Sequence, residues 1–307
     1  MGIRLTGWGT ALPDKVVTNA DLEVRLDTSD QWITERSGIR ERRVGGTTAG
    51  LAAAAARGAL DRAGLTPADV DLLVLATTTP DQAIPATSAH VAEQLGIHCG
   101  AFDLNAACSG FVYALVAAAG MTAPHVRRVL LVGSETLSRV TDWEDRSTAV
   151  LFADGAGAVV LEAVDGPGDL LAWDLGVDGS ARSILYADLG AFIVMEGKEV
   201  FRRAVRVTVE SAQTTLERAG VSASDIALFV PHQANLRIID AAGQRLGIPS
   251  ERTAVVLDRT GNTSSASIPL ALADAAEAGR LSPGDLVLFS GFGAGMTWAS
   301  AVLRWSV

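Results

Sequence analysis

Three residues with side chains capable of chemistry, Cys108, His232 and Asn262, lie in turns beside apolar segments. Cys108 follows the strand-like run 101–104 and precedes an apolar segment with a helical pattern, so its thiol is predicted at a helix N-terminus. The positive end of a helix dipole stabilises a thiolate, so this position predicts a lowered thiol pKa and a nucleophile. A lone cysteine is more often a small buried apolar residue, so the interpretation depends on the other two positions.

His232 follows the buried-strand pattern 227–230, and Asn262 lies in a turn of small residues. Taken singly, each is an ordinary structural histidine or turn asparagine. Together with a thiol, they supply a nucleophile and two neutral hydrogen-bond donors. Such a set can hold an oxyanion, including the enolate formed when a carboxylate departs as carbon dioxide. The glycine-rich segment 291–297 adds free backbone amides, although this pattern is equally typical of a tight turn or a phosphate loop.

The chain repeats one of its segments. Residues 60–75 align without a gap with residues 216–231, and each copy has the pattern of a helix end, a glycine cap and a buried strand. A repeat at this distance predicts two homologous α/β halves, residues 1–165 with the cysteine and residues 166–307 with the histidine and asparagine. At the same offset, the counterpart of Cys108 falls within 261–267. The two turns are therefore predicted to face each other near a pseudo-twofold axis.

Helix and strand patterns alternate along both halves. The predicted helices are 48–63, 86–95, 108–119, 200–219, 236–246 and 265–278. The predicted strands are 72–76, 101–104, 128–132, 157–162, 227–230, 254–257 and 286–289. This alternation predicts mostly parallel sheets covered by helices.

Composition excludes several classes of function. The net charge of −10 argues against nucleic acid as the main partner, and no apolar run is long enough to cross a membrane. The N-terminus lacks the pattern of a signal peptide, and Cys99 and Cys108 are too few for a disulfide framework, so a cytoplasmic location is predicted. No ligand spacing predicts a metal.

Motifs along nearly the whole chain resemble those of β-ketoacyl-acyl carrier protein synthase III, the initiating ketosynthase family of the thiolase superfamily. The matching segments are 19–22, 27–33, 36–42, 105–110, 154–158, 231–237, 261–264 and 291–295. The resemblance implies an α/β, thiolase-like fold in which two duplicated halves form αβαβα layers. It also implies a homodimer.

The resemblance further implies a ping-pong reaction. Cys108 would take an acyl group from a coenzyme A thioester, and malonyl-acyl carrier protein would then lose carbon dioxide and attack that acyl group as its enolate. His232 and Asn262 would hold the malonyl thioester oxygen. The amides of Cys108 and Ala294 would hold the acyl oxygen, and Phe292 would line the decarboxylation site. No tightly bound cofactor is implied.

Seven further positions match residues that bind substrate or partner in the family. Trp32 and Arg146 match the pair that sandwiches the adenine of coenzyme A, with Arg36 close to its phosphates and Asn235 near the pantetheine. A basic patch that receives the acidic carrier protein is matched by Arg237, Arg202 and Arg245. A local basic patch on an acidic protein suits an acidic partner, although each arginine by itself is an ordinary surface charge.

The chain departs from the family pattern at two places. Ile84 occupies a position where acetyl-selective members often carry an aromatic residue, which in the family reaches across the dimer into the partner's acyl pocket. Segment 181–194 is shorter than expected for fatty-acid members, and this should alter the cover over the acyl or pantetheine channel. The smaller side chain of Ile84 leaves more room and favours branched or longer primers. Together the two departures indicate a specialised starter unit, as in polyketide or other secondary metabolism.

Three other functions fit parts of the pattern. An acyltransferase on the same fold would load Cys108 without decarboxylation, but Asn262 favours condensation because decarboxylation needs a neutral donor pair. A Cys-His-Asn hydrolase is disfavoured by the internal repeat and by the residues around the cysteine. A non-catalytic partner subunit would be expected to lose the nucleophile.

Overall fold

The computed structural model describes all residues of the chain, 1–307. Its strands are β1 (Gly2–Ala11), β2 (Val16–Thr18), β3 (Glu41–Arg43), β4 (Leu72–Ala76), β5 (Gly100–Leu104), β6 (Arg128–Thr136), β7 (Asp154–Val164), β8 (Leu170–Val177), β9 (Leu185–Tyr186), β10 (Val194–Met195), β11 (Ile226–Pro231), β12 (Leu286–Gly293) and β13 (Thr297–Arg304). Its helices are α1 (Asn19–Glu23), α2 (Asp30–Ser37), α3 (Thr48–Ala63), α4 (Thr87–Leu95), α5 (Gly110–Met121), α6 (Arg146–Ala149), α7 (Gly197–Ala219), α8 (Leu236–Leu246), α9 (Leu257–Thr260) and α10 (Ser267–Glu277).

Two large sheets form the framework. Strands of residues 2–164 form a five-stranded sheet in the order β1-β7-β6-β4-β5, and strands of residues 170–304 form a four-stranded sheet in the order β11-β12-β13-β8. The prediction of mostly parallel sheets is wrong, because only β4–β5, β4–β6 and β11–β12 pair in parallel. The pairs β1–β7, β6–β7, β12–β13 and β13–β8 are antiparallel. The loop between β12 and β13 is far too short for the crossover that parallel pairing requires.

Helices cover both sheets and also separate them. A central core of 28 buried residues joins the inner faces of both sheets to α5 and α10, with Phe111 of α5 packed edge-on against Phe289 of β12. On the outer faces, α3 and α4 cover the first sheet, whereas α7 and α8 cover the second. The predicted αβαβα layering is confirmed.

Capping signals explain why some boundaries could be predicted from the sequence. Helix α3 begins after Thr47, whose hydroxyl accepts from the Gly50 amide, and ends at Gly64 in the left-handed conformation. Helix α8 begins after Asn235, whose side chain caps the Arg237 amide. For α3 and α8 the structure has the predicted bounds, 48–63 and 236–246.

The predicted strand 254–257 is wrong. The chain makes a single bridge to β11, between Phe229 and Thr253 just before this segment, and then turns into α9 at Leu257. The Gln233 side chain accepts from the Val256 amide, so a buried amide group supplies the partner that a neighbouring strand would otherwise supply. Three of its four apolar residues, Ala254, Val256 and Leu257, are buried all the same, which is why the pattern resembles that of a strand.

The fold brings four connections together between the sheets. They are the β5–α5 turn, the end of β11, the turn after α9 and the β12–β13 loop, and they follow strand or helix ends as ligand sites in α/β sheets commonly do. None of the helices is both long enough and apolar enough to cross a membrane.

Candidate active site

Two cavities reach Cys108. The first has a volume of about 640 Å³ and is lined mainly by apolar residues from the segment after β6, the segment after α6 and the β9–β10 hairpin. The second, about 480 Å³, is lined by His232, Asn262 and Phe292 together with residues of α7 and α8. Cys108 therefore lies where two separate compartments meet, one largely apolar and one carrying polar donors.

The Cys108 thiol is in the turn just before α5, as predicted, but its pKa moves in the direction opposite to the prediction. Burial and, to a smaller extent, the carboxylate of Glu135 raise the pKa of Cys108 to about 12, although the Ser264 hydroxyl acts in the opposite direction. The prediction considered the helix dipole alone. Removal of water from a thiolate costs more than the dipole returns, so the resting residue is a neutral thiol.

His232 is a buried, neutral imidazole at the end of β11. Its side chain is 2% exposed, and burial lowers its pKa to about 3. The Ser267 hydroxyl lies 2.7 Å from Nδ1 of His232, and its oxygen accepts a hydrogen bond from the Gln233 amide at 3.2 Å. The proton of the serine hydroxyl is therefore available for a hydrogen bond to Nδ1. This arrangement favours the tautomer with the proton on Nε2 and makes His232 a neutral donor.

Asn262 is held by its backbone as well as by its side chain. Its amide donates to Leu151 O and its carbonyl accepts from Ala153 N, each at 2.9 Å. The side-chain Oδ1 accepts from the Ser264 amide at 2.9 Å, so Nδ2 remains available to the second cavity. The site thus presents two uncharged donors, which suit an enolate oxygen in a water-poor environment. The Phe292 ring packs edge-on against His232 with centroids 5.3 Å apart.

Two backbone amides beside the sulfur are free. The N–H groups of Cys108 and Ala294 donate to no backbone carbonyl, and Ala294 lines the same cavity as Cys108. The C-terminal end of β12 can approach the Cys108 amide this closely because residue 293 is glycine. A Cβ atom added there would lie 2.5 Å from Cys108 N. This geometry fits a second oxyanion hole for an acyl thioester carbonyl.

The predicted coenzyme A residues form a cluster, of which Arg36 and Asn235 line the second cavity. The guanidinium carbons of Arg146 and Arg36 lie 4.8 Å and 5.5 Å from the centre of the Trp32 ring. Asn235 donates to Arg36 O at 2.9 Å, and both line the second cavity. In this state Arg146 covers the indole itself, so a flat ring could enter only after the arginine moved away.

The three predicted carrier-protein arginines differ in their surroundings. Arg237 is exposed, lines the second cavity and stacks on Phe201 at 5.4 Å. Arg202 pairs with Glu199 at 2.7 Å on the exposed face of α7. Arg245 is exposed in the last turn of α8, and neither it nor Arg202 lines either of the two cavities at Cys108.

Ile84 lies apart from the site within one chain. It is 88% exposed and lines neither cavity. The short segment 181–194 forms the β9–β10 hairpin, and its Leu185 lines both cavities. The hairpin exposes large apolar side chains near its tip, Leu189 at 106% and Phe192 at 53%.

The sequence analysis missed several residues that the structure places at the site. Ser264 and Ser267 contact Cys108 and His232, and a run of hydroxyl residues beside Asn262 was a signal for both. Glu135 is a fully buried acid at the end of an apolar strand, which is a second such signal. The apolar lining of the first cavity, which includes Leu137, Phe152 and Ile193, has no motif of its own and comes from separate parts of the chain.

Comparison with known proteins identifies the family of the chain. Two family models match the chain, 3-oxoacyl-(acyl-carrier-protein) synthase III over residues 102–179 and the C-terminal model of the same enzyme over residues 216–305. The β-ketoacyl-(acyl-carrier-protein) synthase III of Erythrobacter litoralis is 50% identical over 317 aligned positions, which cover 98% of each protein. This aligned length exceeds the 307 residues of the chain, so the relative contains residues that the chain lacks.

Solved structures agree as well. The 3-oxoacyl-(acyl-carrier-protein) synthase III of Aquifex aeolicus superposes with a TM-score of 0.96 at 45% identity, covering 99% of this chain and all of that one. A priming β-ketosynthase of the R1128 polyketide pathway superposes with a TM-score of 0.93 at 39% identity, covering 99% and 96%. The chain therefore belongs to the 3-oxoacyl-(acyl-carrier-protein) synthase III family and is a ketosynthase.

Proposed function

We propose that the chain joins an acyl-coenzyme A primer to malonyl-acyl carrier protein by decarboxylative condensation, with the acyl group held on Cys108. The observation that carries this proposal is the meeting of an apolar cavity and a donor-lined cavity at one thiol. The first cavity suits an acyl chain. The second suits a pantetheine arm and the oxygen of a malonyl thioester. No tightly bound cofactor takes part, and the two free cysteines are consistent with a cytoplasmic enzyme.

In the first half-reaction, the sulfur of Cys108 attacks the thioester carbonyl of acyl-coenzyme A. The carbonyl oxygen becomes an oxyanion that the amides of Cys108 and Ala294 hold. The bond to coenzyme A breaks, and its thiolate takes the proton that Cys108 gave up. An acyl-Cys108 thioester remains, and free coenzyme A leaves.

In the second half-reaction, the carbon–carbon bond of the malonyl group breaks and carbon dioxide leaves. The electron pair passes into an enolate, whose oxygen accepts from His232 Nε2 and Asn262 Nδ2. Both donors are uncharged, so the enolate keeps its nucleophilicity while the site stabilises it. The enolate carbon attacks the acyl-Cys108 carbonyl, the carbon–sulfur bond breaks, and the sulfur leaves as a thiolate that takes a proton from solvent. The product is 3-oxoacyl-acyl carrier protein.

Intact-mass analysis with a panel of acyl-coenzyme A donors of rising length and branching tests the proposal. We expect a stable acyl adduct on the wild-type chain and none on Cys108→Ala. The matched control is Cys99→Ala, which removes the other free thiol and should keep the adduct. No adduct with any donor would contradict the proposed intermediate.

Addition of malonyl-acyl carrier protein to the loaded enzyme then separates the two candidate reactions. Condensation releases carbon dioxide together with 3-oxoacyl-acyl carrier protein. Acyl transfer without carbon dioxide would instead establish the non-decarboxylating acyltransferase.

In the same panel we expect a branched or longer primer to react faster than acetyl-coenzyme A, and equal or faster acetyl turnover would contradict a specialised primer.

The oxyanion hole at Cys108 and Ala294 predicts a large effect of Gly293→Ala. The added methyl group would meet Cys108 N at 2.5 Å and Ala107 Cβ at 2.8 Å, so the amide must move. We expect kcat to fall by about 10²-fold, as for the loss of one oxyanion donor. Gly120→Ala is the matched control, because its Cβ would meet no atom within 4 Å, and it should keep wild-type kcat.

The acidic carrier protein docks, in this proposal, on the α7–α8 face that carries Arg237, Arg202 and Arg245. Neither Arg237 nor Arg245 forms an ion pair within the chain, so both charges are available. We expect Arg245→Glu to raise KM for malonyl-acyl carrier protein several-fold at low salt, with a smaller effect on acyl transfer from coenzyme A. Arg304→Glu, at an exposed position on β13, is the control. Equal KM values for both variants would contradict this docking surface.

The enzyme acts, in this proposal, as a homodimer in which Ile84 of each chain enters the first cavity of the other. The support is the exposed Ile84 and the exposed apolar tip of the β9–β10 hairpin. We expect Ile84→Phe to lower kcat/KM for larger primers roughly tenfold relative to acetyl-coenzyme A. Val24→Phe, at another exposed position, should leave the ratio unchanged. A monomer by sedimentation velocity would contradict the arrangement.

A further inference from the structure

Glu135 is a buried carboxylate that joins the two halves of the site. It lies at the end of β6 and is 0% exposed. Its Oε2 atom accepts hydrogen bonds from the turn after β4, from Thr79 Oγ1 at 2.6 Å and from the amides of Thr78 and Thr79 at 3.0 Å and 3.1 Å. Its Oε1 atom accepts a hydrogen bond from Ser265 Oγ at 2.8 Å. Every one of these groups is a hydrogen-bond donor, as a buried carboxylate requires.

Ser265 is held closely against the first sheet. Its hydroxyl also lies 2.9 Å from Ala76 O, and its own carbonyl passes over Gly133 of β6. A Cβ at Gly133 would lie 2.4 Å from that carbonyl, so only glycine admits the turn. The contacts of Glu135 and Gly133 therefore determine where the 264–266 turn lies.

Ser264, which precedes Ser265 in the chain, faces the nucleophile. It has φ of +48°, in the left-handed region that serine seldom adopts, and is 1% exposed. Its hydroxyl has no hydrogen-bond partner of normal geometry in the resting enzyme, yet it lines the first cavity with Cys108 and lowers the pKa of that thiol. The offset that relates residue 60 to residue 216 also relates Cys108 to Ser264.

We infer that the Ser264 hydroxyl donates to the Cys108 sulfur whenever that sulfur carries negative charge, and that Glu135 is the positioning residue that holds Ser264 there through Ser265. The sulfur is a thiolate twice in each cycle, before acyl loading and after condensation. An unpartnered hydroxyl at this position costs free energy at rest and recovers it only with the charged sulfur.

The charges near the sulfur make such a donor necessary. His232 is neutral, so it supplies no positive charge, and the Glu135 carboxylate opposes a thiolate. Arg139 lines the first cavity together with Cys108, but its guanidinium contacts Thr79 O at 2.6 Å and pairs with Asp81 at 3.4 Å. The thiolate therefore depends on the α5 dipole and on a local donor.

The test is the pH profile of Cys108 alkylation by iodoacetamide in a Cys99→Ser background, which removes the other free thiol. We expect Ser264→Ala to move the profile to higher pH, with alkylation at pH 8 on the order of tenfold slower. Ser264→Gly removes the hydroxyl and also relieves the backbone, and it should be equally slow. Ser211→Ala, which removes another buried hydroxyl without a partner, should match the background protein.

The role of Glu135 is tested by Glu135→Asp, which keeps the negative charge but draws the carboxylate back from Ser265. We expect it to slow alkylation several-fold when Ser264 is present and to have little effect in the Ser264→Ala background. If Glu135→Asp does not fold, Ser265→Ala takes its place in the cycle, because it removes the hydroxyl contact with Glu135 and leaves only the longer one from the Ser265 amide at 3.4 Å.

Two results would overturn the inference: a Ser264→Ala profile that superimposes on that of the background protein, or equal effects of Glu135→Asp in both backgrounds. The inference rests on the proposed acyl-carrying role of Cys108. An acyl adduct on the wild-type chain with an unchanged Ser264→Ala profile would refute the inference alone, whereas the absence of any adduct would refute the proposed function.

Discussion

Two turns, one from each sheet, approach each other at the centre of the molecule with almost no side-chain volume between them. Gly293 brings the end of β12 against the backbone of Cys108, and Gly133 admits the turn of Ser265 over β6. Because a single methyl group at either glycine would overlap backbone atoms, the separation of the sulfur from its neighbouring donors is set by main-chain packing. Both cavities and both candidate oxyanion holes depend on this approach.

The same approach sets the electrostatics of the site. Enclosure between two sheets removes water from His232 and leaves Cys108 only partly exposed, and burial disfavours the charged form of each, so the thiol pKa rises and the imidazole pKa falls. A neutral imidazole is the form that can donate to an enolate oxygen without protonating its carbon. The cost falls on the thiol, which must lose its proton in an apolar environment, and Ser264 is placed where it can offset that cost.

Local sequence patterns predicted the elements better than their pairing. Caps at Thr47 and Asn235 determine the starts of α3 and α8 through bonds within a few residues, so both helices could be located in advance. Strand direction depends instead on connections and partners far along the chain, and four of the seven pairs in the large sheets are antiparallel. The segment 254–257 was predicted as a strand because burial alone produces the same apolar pattern.

The sequence by itself determined the chemical groups, the two duplicated halves and the turns in which Cys108, His232 and Asn262 lie, because each depends on residue type and short-range pattern. The tertiary structure alone decided the protonation of Cys108 and His232, the division of the site into two cavities, and the presence of Glu135 and Ser264 beside the nucleophile. These properties arise from desolvation and from contacts such as Glu135 with Ser265, which join residues far apart in the chain. No local pattern encodes them, because each requires both sheets to be in place.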